Sequence, residues 1–179
     1  MDNFLPDKYQ IPEASNGYMK FKQGANTFRI LSSAIVGYET WLEEDNKRKP
    51  LRWKMGVKMP ASEIGTDPKH FWAFIVWNFE EEKVQILELT QKGIMRDIKA
   101  LVDNPKWGDP KAYNIVVTRT GEGMETEYTT QPEPKEDLDA GILQFYKDLK
   151  INLEALFKNE DPFQSEDTFD VTEEEVEKI

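Results

Sequence analysis

The chain has 179 residues, which suits one domain with an appendage, since domains usually run about 100–200 residues. It holds no cysteine and one histidine, His70, which excludes a disulfide scaffold, a thiolate metal centre and a cysteine nucleophile. The net charge of −11 is unevenly spread: residues 1–60 carry ten Lys and Arg against seven Asp and Glu, residues 61–135 nine against thirteen, and residues 136–179 four against fourteen. A near-neutral body therefore carries an acidic C-terminal part, and total charge does not argue against an anionic partner. The first residues show no basic then apolar leader, and no stretch approaches the ~20 apolar residues of a membrane span, so a soluble, cytoplasmic protein is expected.

Residues 1–16, with Pro6 and Pro12, read as a loosely ordered arm. From Tyr18 the pattern favours strands. YMKFK (18–22) and TFRIL (27–31), joined by Gln23–Asn26, predict a hairpin, and Ile35–Leu42 continues the β run. A polar turn over 43–50 leads into 51–59, and 60–69, with Pro60, Gly65 and Pro68, reads as an exposed loop. FWAFIVWNF (71–79) is the most apolar run; its length and its aromatic and β-branched content predict a buried strand, paired with VQILEL (84–89) across EEEK. Thr90 can cap a helix over 91–103, whose apolar face is Ile94, Ile98, Leu101 and Val102. Two strands, 112–119 and 126–131, follow across Gly121-Glu122-Gly123. Beyond Pro132 and Pro134, the spacing of Leu138, Ile142, Phe145, Leu149, Leu153 and Leu156 predicts an amphipathic helix over 136–158. Residues 159–179 hold nine acids and one base and read as a disordered acidic tail.

This order predicts a mainly β domain over 17–135, an OB-type Greek-key barrel with one helix before its last two strands, followed by the helix 136–158 and the tail. An α+β open sheet fits the same order. OB folds bind through their middle strands and adjoining loops.

The stretch 41–77 mixes bases and aromatics. Lys47, Arg48, Lys49, Arg52, Lys54 and Lys58 lie within twelve residues around Trp53, with Trp41 before them and Trp72, Phe74 and Trp77 after. Cations track phosphates, and aromatic faces stack on unpaired bases for roughly 1–3 kcal/mol each, which a duplex would not offer. A tryptophan in a β domain is more often core than stacking platform, by about two to one for any single one here. In 51–55, Arg52 and Lys54 share a face opposite Leu51, Trp53 and Met55, so those two cations are expected to point outward. Lys22, Arg29 and Arg119 are further candidates on adjoining strands. The acidic tail, through Asp161, Phe163, Phe169, Glu173, Glu174 and Glu175, could compete for the basic surface or recruit partner proteins.

Catalytic sets are thin. Glu43/Glu44 and Glu80–Glu82 sit in turns, Asp103 and Asp109 lack a third ligand, Gly121-x-Gly123 opens no helix, and His70 precedes a buried strand. No enzyme, cofactor or metal is expected.

The stretches KHFWAFIVWNFEEEKVQILELTQKGI (69–94) and DNPKWGDPKAYNIVVTRTGEGMETEY (103–128) resemble phage and prophage single-stranded DNA-binding proteins of the helix-destabilising kind. Val84–Glu88 and Trp107–Pro110 carry most of the similarity, and the acidic C-terminal tail adds to it. The resemblance implies an OB-type fold, coverage of single strands in phage DNA replication or recombination, tail contacts to other replication proteins, and a host-cell cytoplasmic location. Some of these proteins hold a zinc on Cys and His ligands, which a chain without cysteine cannot do. The alternative is an adaptor or DNA mimic acting through the C-terminal helix and tail; six clustered cations would bring a mimic nothing.

Overall fold

The computed structural model describes residues 17–58 and 67–163, together with Phe4. Seven strands, β1 (Gly24–Ile30), β2 (Ile35–Glu44), β3 (Lys47–Lys54), β4 (Lys69–Asn78), β5 (Lys83–Leu89), β6 (Asn114–Thr120) and β7 (Glu127–Pro132), form one antiparallel sheet. Two helices, α1 (Lys92–Asp103) and α2 (Ala140–Leu149), are joined by short 3₁₀ turns at 110–112, 123–125 and 153–158. The domain is mainly β, as expected, but the sheet is open: its order is β3-β2-β4-β1-β6-β7, with β5 on β4, and no pairing among the described strands closes it.

β4 lies at the centre. One edge meets β2 over 69–73 and β1 over 76–78, and the other edge meets β5 over 72–78. β1 and β2 are thus successive segments along one edge. The corner between them is held by Leu31 N–H donating to Ile75 O (2.8 Å) and Ile75 N–H donating to Ser32 Oγ (2.8 Å).

Because side chains alternate, β4 feeds two cores. Phe74 and Val76 join Phe28, Leu87, Leu89, Ile115 and Val117 beneath α1, which contributes Ile94, Met95 and Ile98. Phe71, Ala73 and Ile75 join Val84 and Ile86 beneath the C-terminal segment, which contributes Leu153 and Leu156. Burying each such large side chain contributes about 1.5–3 kcal/mol. A strand buried on both faces explains why 71–76 is apolar without alternation.

Five sequence expectations change. The hairpin of 18–22 with 27–31 is absent. Asn26 is buried and donates from Nδ2 to the carbonyls of Lys22, Gly24 and Val117, so the chain bends there instead of pairing. Residues 17–19 run beside β5, bridging Tyr18 to Ile86 in parallel. The polar turn of 43–50 shrinks to Asp45-Asn46, both at positive φ (51° and 62°), the two-residue hairpin geometry that matches strand twist. Lys47–Lys49 consequently belong to a strand.

At α1 the N-cap is Gln91, without a side-chain cap, rather than Thr90. The long helix of 136–158 is broken in two. Asp139 caps α2, its Oδ1 accepting from Gly141 N–H (2.7 Å), and Lys150 ends it in the left-handed region (φ 50°). Phe145 is 51% exposed, whereas Tyr146 and Leu149 pack on the second core. The break turns the chain so that Leu153 and Leu156 lie on the sheet.

The start of the expected disordered tail is folded back. Asn152 N–H donates to Pro162 O (2.8 Å), Pro162 is buried, and Phe163 meets Tyr18 edge-on at 5.9 Å. The rest of the tail, 164–179, and the arm apart from Phe4 and Gly17 onward lie outside the described residues, as do 59–66 of the expected loop.

Candidate nucleic-acid interface

The β2–β3 register sorts the basic stretch onto two faces. Glu39↔Arg52, Trp41↔Pro50 and Glu43↔Arg48 lie on the face of the C-terminal segment, and Tyr38↔Trp53 and Leu42↔Lys49 on the face of α1. Beyond Glu39 this pair leaves β4 and continues as a two-stranded arm. Glu39 and Glu43 lie across from Arg52 and Arg48, so that face of the arm carries both signs of charge. On it, the Arg48 guanidinium lies 5.3 Å from the Trp41 ring centre. Lys47, Arg48, Lys49 and Lys58 are exposed.

Arg52 does not point outward. Its side chain is 9% exposed, with Nε donating to Glu39 Oε2 (3.3 Å) and Nη2 to Glu88 Oε2 (3.1 Å), over the Phe71 ring. Burial first, and then hydrogen bonding and repulsion from Glu88, push the Glu39 carboxyl up to about 8, against the lowering effect of Arg52. Lys54 is exposed but is engaged by the C-terminal segment: Nζ lies 3.0 Å from Glu154 and 5.6 Å from the Phe157 ring centre. An exposed pair of this kind contributes about 0–1 kcal/mol.

The other candidates are dispersed. Trp53 and Phe74 are buried, and Trp77 packs half-buried on the second core. Arg29 is buried, donating to Asn114 Oδ1 (2.7 Å) and to the carbonyls of Lys111 and Glu136; burial pulls its guanidinium below its ordinary value. Arg119 donates to Phe21 O (3.1 Å), and Lys22 pairs with Glu81 (3.3 Å). Asp161 and Phe163 sit against their own chain, with Asp161 Oδ1 accepting from Phe163 N–H (2.9 Å); Phe169, Glu173, Glu174 and Glu175 lie outside the described residues.

Trp72 occupies a different setting. Strand alternation puts it with His70 on the α1 face, and the register places it opposite Val36. A row of rings runs along this face: Trp53 stacks on Tyr38 (6.1 Å, 26°), and Tyr38 meets His70 (5.3 Å). His70 is fixed by its Nδ1–H donating to Gly37 O (2.8 Å). α1 forms the facing wall. Burying Ile94 and Ile98 against the first core leaves Lys92, Arg96 and Lys99 on one exposed edge, at i, i+4 and i+7, a row about 10 Å long. These three, Met95, His70 and Trp72 line a cleft of about 200 Å³. Trp72 and Lys99 also line an adjoining groove of about 460 Å³ floored by Val36, Phe74 and Ile98 and closed by Asp103, Asp109 and Lys111.

The structure therefore brings Trp72 and Phe74 to one groove and leaves Arg48, Arg52 and Lys54 on the opposite face. Sequence reading missed Lys92, Arg96 and Lys99. The available signal is their i, i+4, i+7 spacing on the helix that follows an aromatic strand, a weaker pattern than the denser cluster at 47–58. Among the described residues, no group of three or more His, Asp or Glu is placed to hold a metal ion, and no helix is long and apolar enough to cross a membrane. No protein-family model matches the chain, and no curated protein matches it significantly.

Proposed function

We propose that this chain is a sequence-tolerant single-stranded DNA-binding protein of phage replication or recombination, built on an OB-type domain whose sheet stays open. One observation carries the reading: the half-buried ring of Trp72 lines a groove whose opposite wall presents Lys92, Arg96 and Lys99. Unpaired bases need a ring to stack on, phosphates need a track of cations beside it, and a groove of this kind makes no demand on base identity. Of the basic arm, only Lys47 and Lys49 share the groove's face by strand alternation; Arg48, over Trp41, lies on the other. The acidic C-terminal part supplies the competitor or the partner contact. The test is a salt titration of single-strand affinity for the wild type and for Lys92→Ala/Arg96→Ala/Lys99→Ala. Each phosphate contact removed lowers the salt slope by about 0.7 for a single strand. An unchanged slope rejects the groove as the binding track.

Exposure of Leu143 and Phe145 on α2 favours a second reading, an adaptor that docks another protein on this helix. Under that reading Phe145→Ser abolishes partner capture and leaves DNA affinity alone.

A further inference from the structure

Glu39, Arg52 and Glu88 come from three strands, and their side chains are 7%, 9% and 19% exposed. Two carboxylates facing one guanidinium leave a surplus negative charge. Glu88 Oε1 is also buried without a hydrogen-bond donor among the described residues. A proton on Glu39 resolves both problems, since it neutralises the surplus and supplies a donor towards Glu88.

A cleft of about 540 Å³ lies over this cluster, lined by Tyr18, Lys49, Pro50 and Arg52 on one side and by Leu156, Asn159, Glu160, Asp161 and Pro162 on the other. The C-terminal segment thus brings two acids to the cleft that Arg52 lines. It is held there by Leu153 and Leu156 in the second core, the Lys54–Glu154 pair and the ring contacts of Phe157 with Phe71 and of Phe163 with Tyr18, while Glu160 N–H to Ala155 O (3.0 Å) and Asn152 N–H to Pro162 O fold the segment on itself.

We propose that the Glu39–Arg52–Glu88 cluster is a proton-operated latch that holds the segment Leu153–Phe163 against the sheet and loosens it when both carboxyls ionise. With one proton the cluster itself is neutral. Without the proton it carries −1, a charge of the same sign as Asp161 and Glu160, which line the same cleft. The groups facing the cluster are Arg52 and Lys49 from β3, Glu88 from β5, Lys69 as the register partner of Glu39 on β4, Tyr18 from the entering chain, and Glu160 and Asp161 from the segment. Tyr18 is held protonated, raised mainly by burial, so it adds no charge as the latch works. The raised value of Glu39, about 8, sets the window: the segment is fully held below the ordinary carboxyl range and loosens as pH rises through about 8.

The device does not depend on nucleic acid, so its test is made on the free full-length protein. Amide hydrogen exchange is measured over 152–163 at pH 7 and pH 9 and corrected for the intrinsic rate. Protection in the wild type falls at least tenfold between the two, whereas Glu39→Gln, which keeps an amide donor towards Glu88 and cannot ionise, holds the pH 7 protection. Glu88→Gln removes the same surplus charge and gives the same flat response, which covers the case that Glu39→Gln does not fold. Equal pH responses in the wild type and the folded variants overturn the proposal.

Discussion

Removing the Arg52 guanidinium would leave Glu39 and Glu88 facing each other beneath the C-terminal segment. Deleting one partner of a buried ion cluster costs about 3–5 kcal/mol; Arg52→Ala should lie at the lower end, because Glu39 already retains a proton at neutral pH. Thermal or urea unfolding reads this, and a loss below about 1 kcal/mol would contradict the buried placement. At Gly37, an added Cβ would lie 2.3 Å from Trp53 O and 3.1 Å from Phe157 Cε1. Backbone cannot yield as a flexible side chain does, so Gly37→Ala should destabilise by about 1–3 kcal/mol, seen as a lower midpoint at unchanged m. Trp72→Ala removes a stacking face without a charge. Single-strand affinity should fall by roughly 1–3 kcal/mol with the salt slope unaltered, measured by anisotropy at two or more salt concentrations. A changed slope would mean that Trp72 acts through the placement of cations.

At the scale of elements, β4, β5 and α1 were legible because each carries an unambiguous pattern: an unbroken apolar run, a short second run across a charged turn, and Ile94 and Ile98 at helical spacing. The helix at 136–158 was misread because Phe145 and Leu153 satisfy a helical period without sharing a buried face. Tertiary packing selected Tyr146 over Phe145 and spent the left-handed Lys150 on a turn. Faces were legible in the β2–β3 strands, but exposure was not. Alternation correctly paired Arg52 with Lys54, yet nothing local reveals that Glu88, 36 residues on, closes over Arg52. The same limit hid the basic edge of α1, which lines a cleft only because His70 and Trp72 of β4 lie opposite. Lys150→Pro should be harmful at this joint, since proline cannot adopt the positive φ of 50° found there. Far-UV circular dichroism on melting would show a lower midpoint, and an unchanged midpoint would contradict the left-handed turn at Lys150.

For the whole molecule, the two faces of the sheet divide the work. One is sealed by 153–163, whose acids lie over Arg52 and Lys54, and the other holds the groove beside α1. Truncation must respect that division. Ending the chain at Lys158 removes Pro162 and Phe163 from their seats and should lower stability, whereas ending it at Phe163 keeps those seats while removing the seven acids of 164–179. Only the second truncation isolates the electrostatic role of the tail. The measurement that reaches the central claim most directly is fluorescence anisotropy of a labelled single-stranded oligonucleotide with the full-length chain, competed by unlabelled duplex and repeated with Lys92→Ala/Arg96→Ala/Lys99→Ala. Salt-sensitive binding that duplex competes poorly, and that the triple substitution weakens equally for unrelated sequences, is the predicted result. Absence of binding at low salt, or binding that the triple substitution leaves intact, would contradict it.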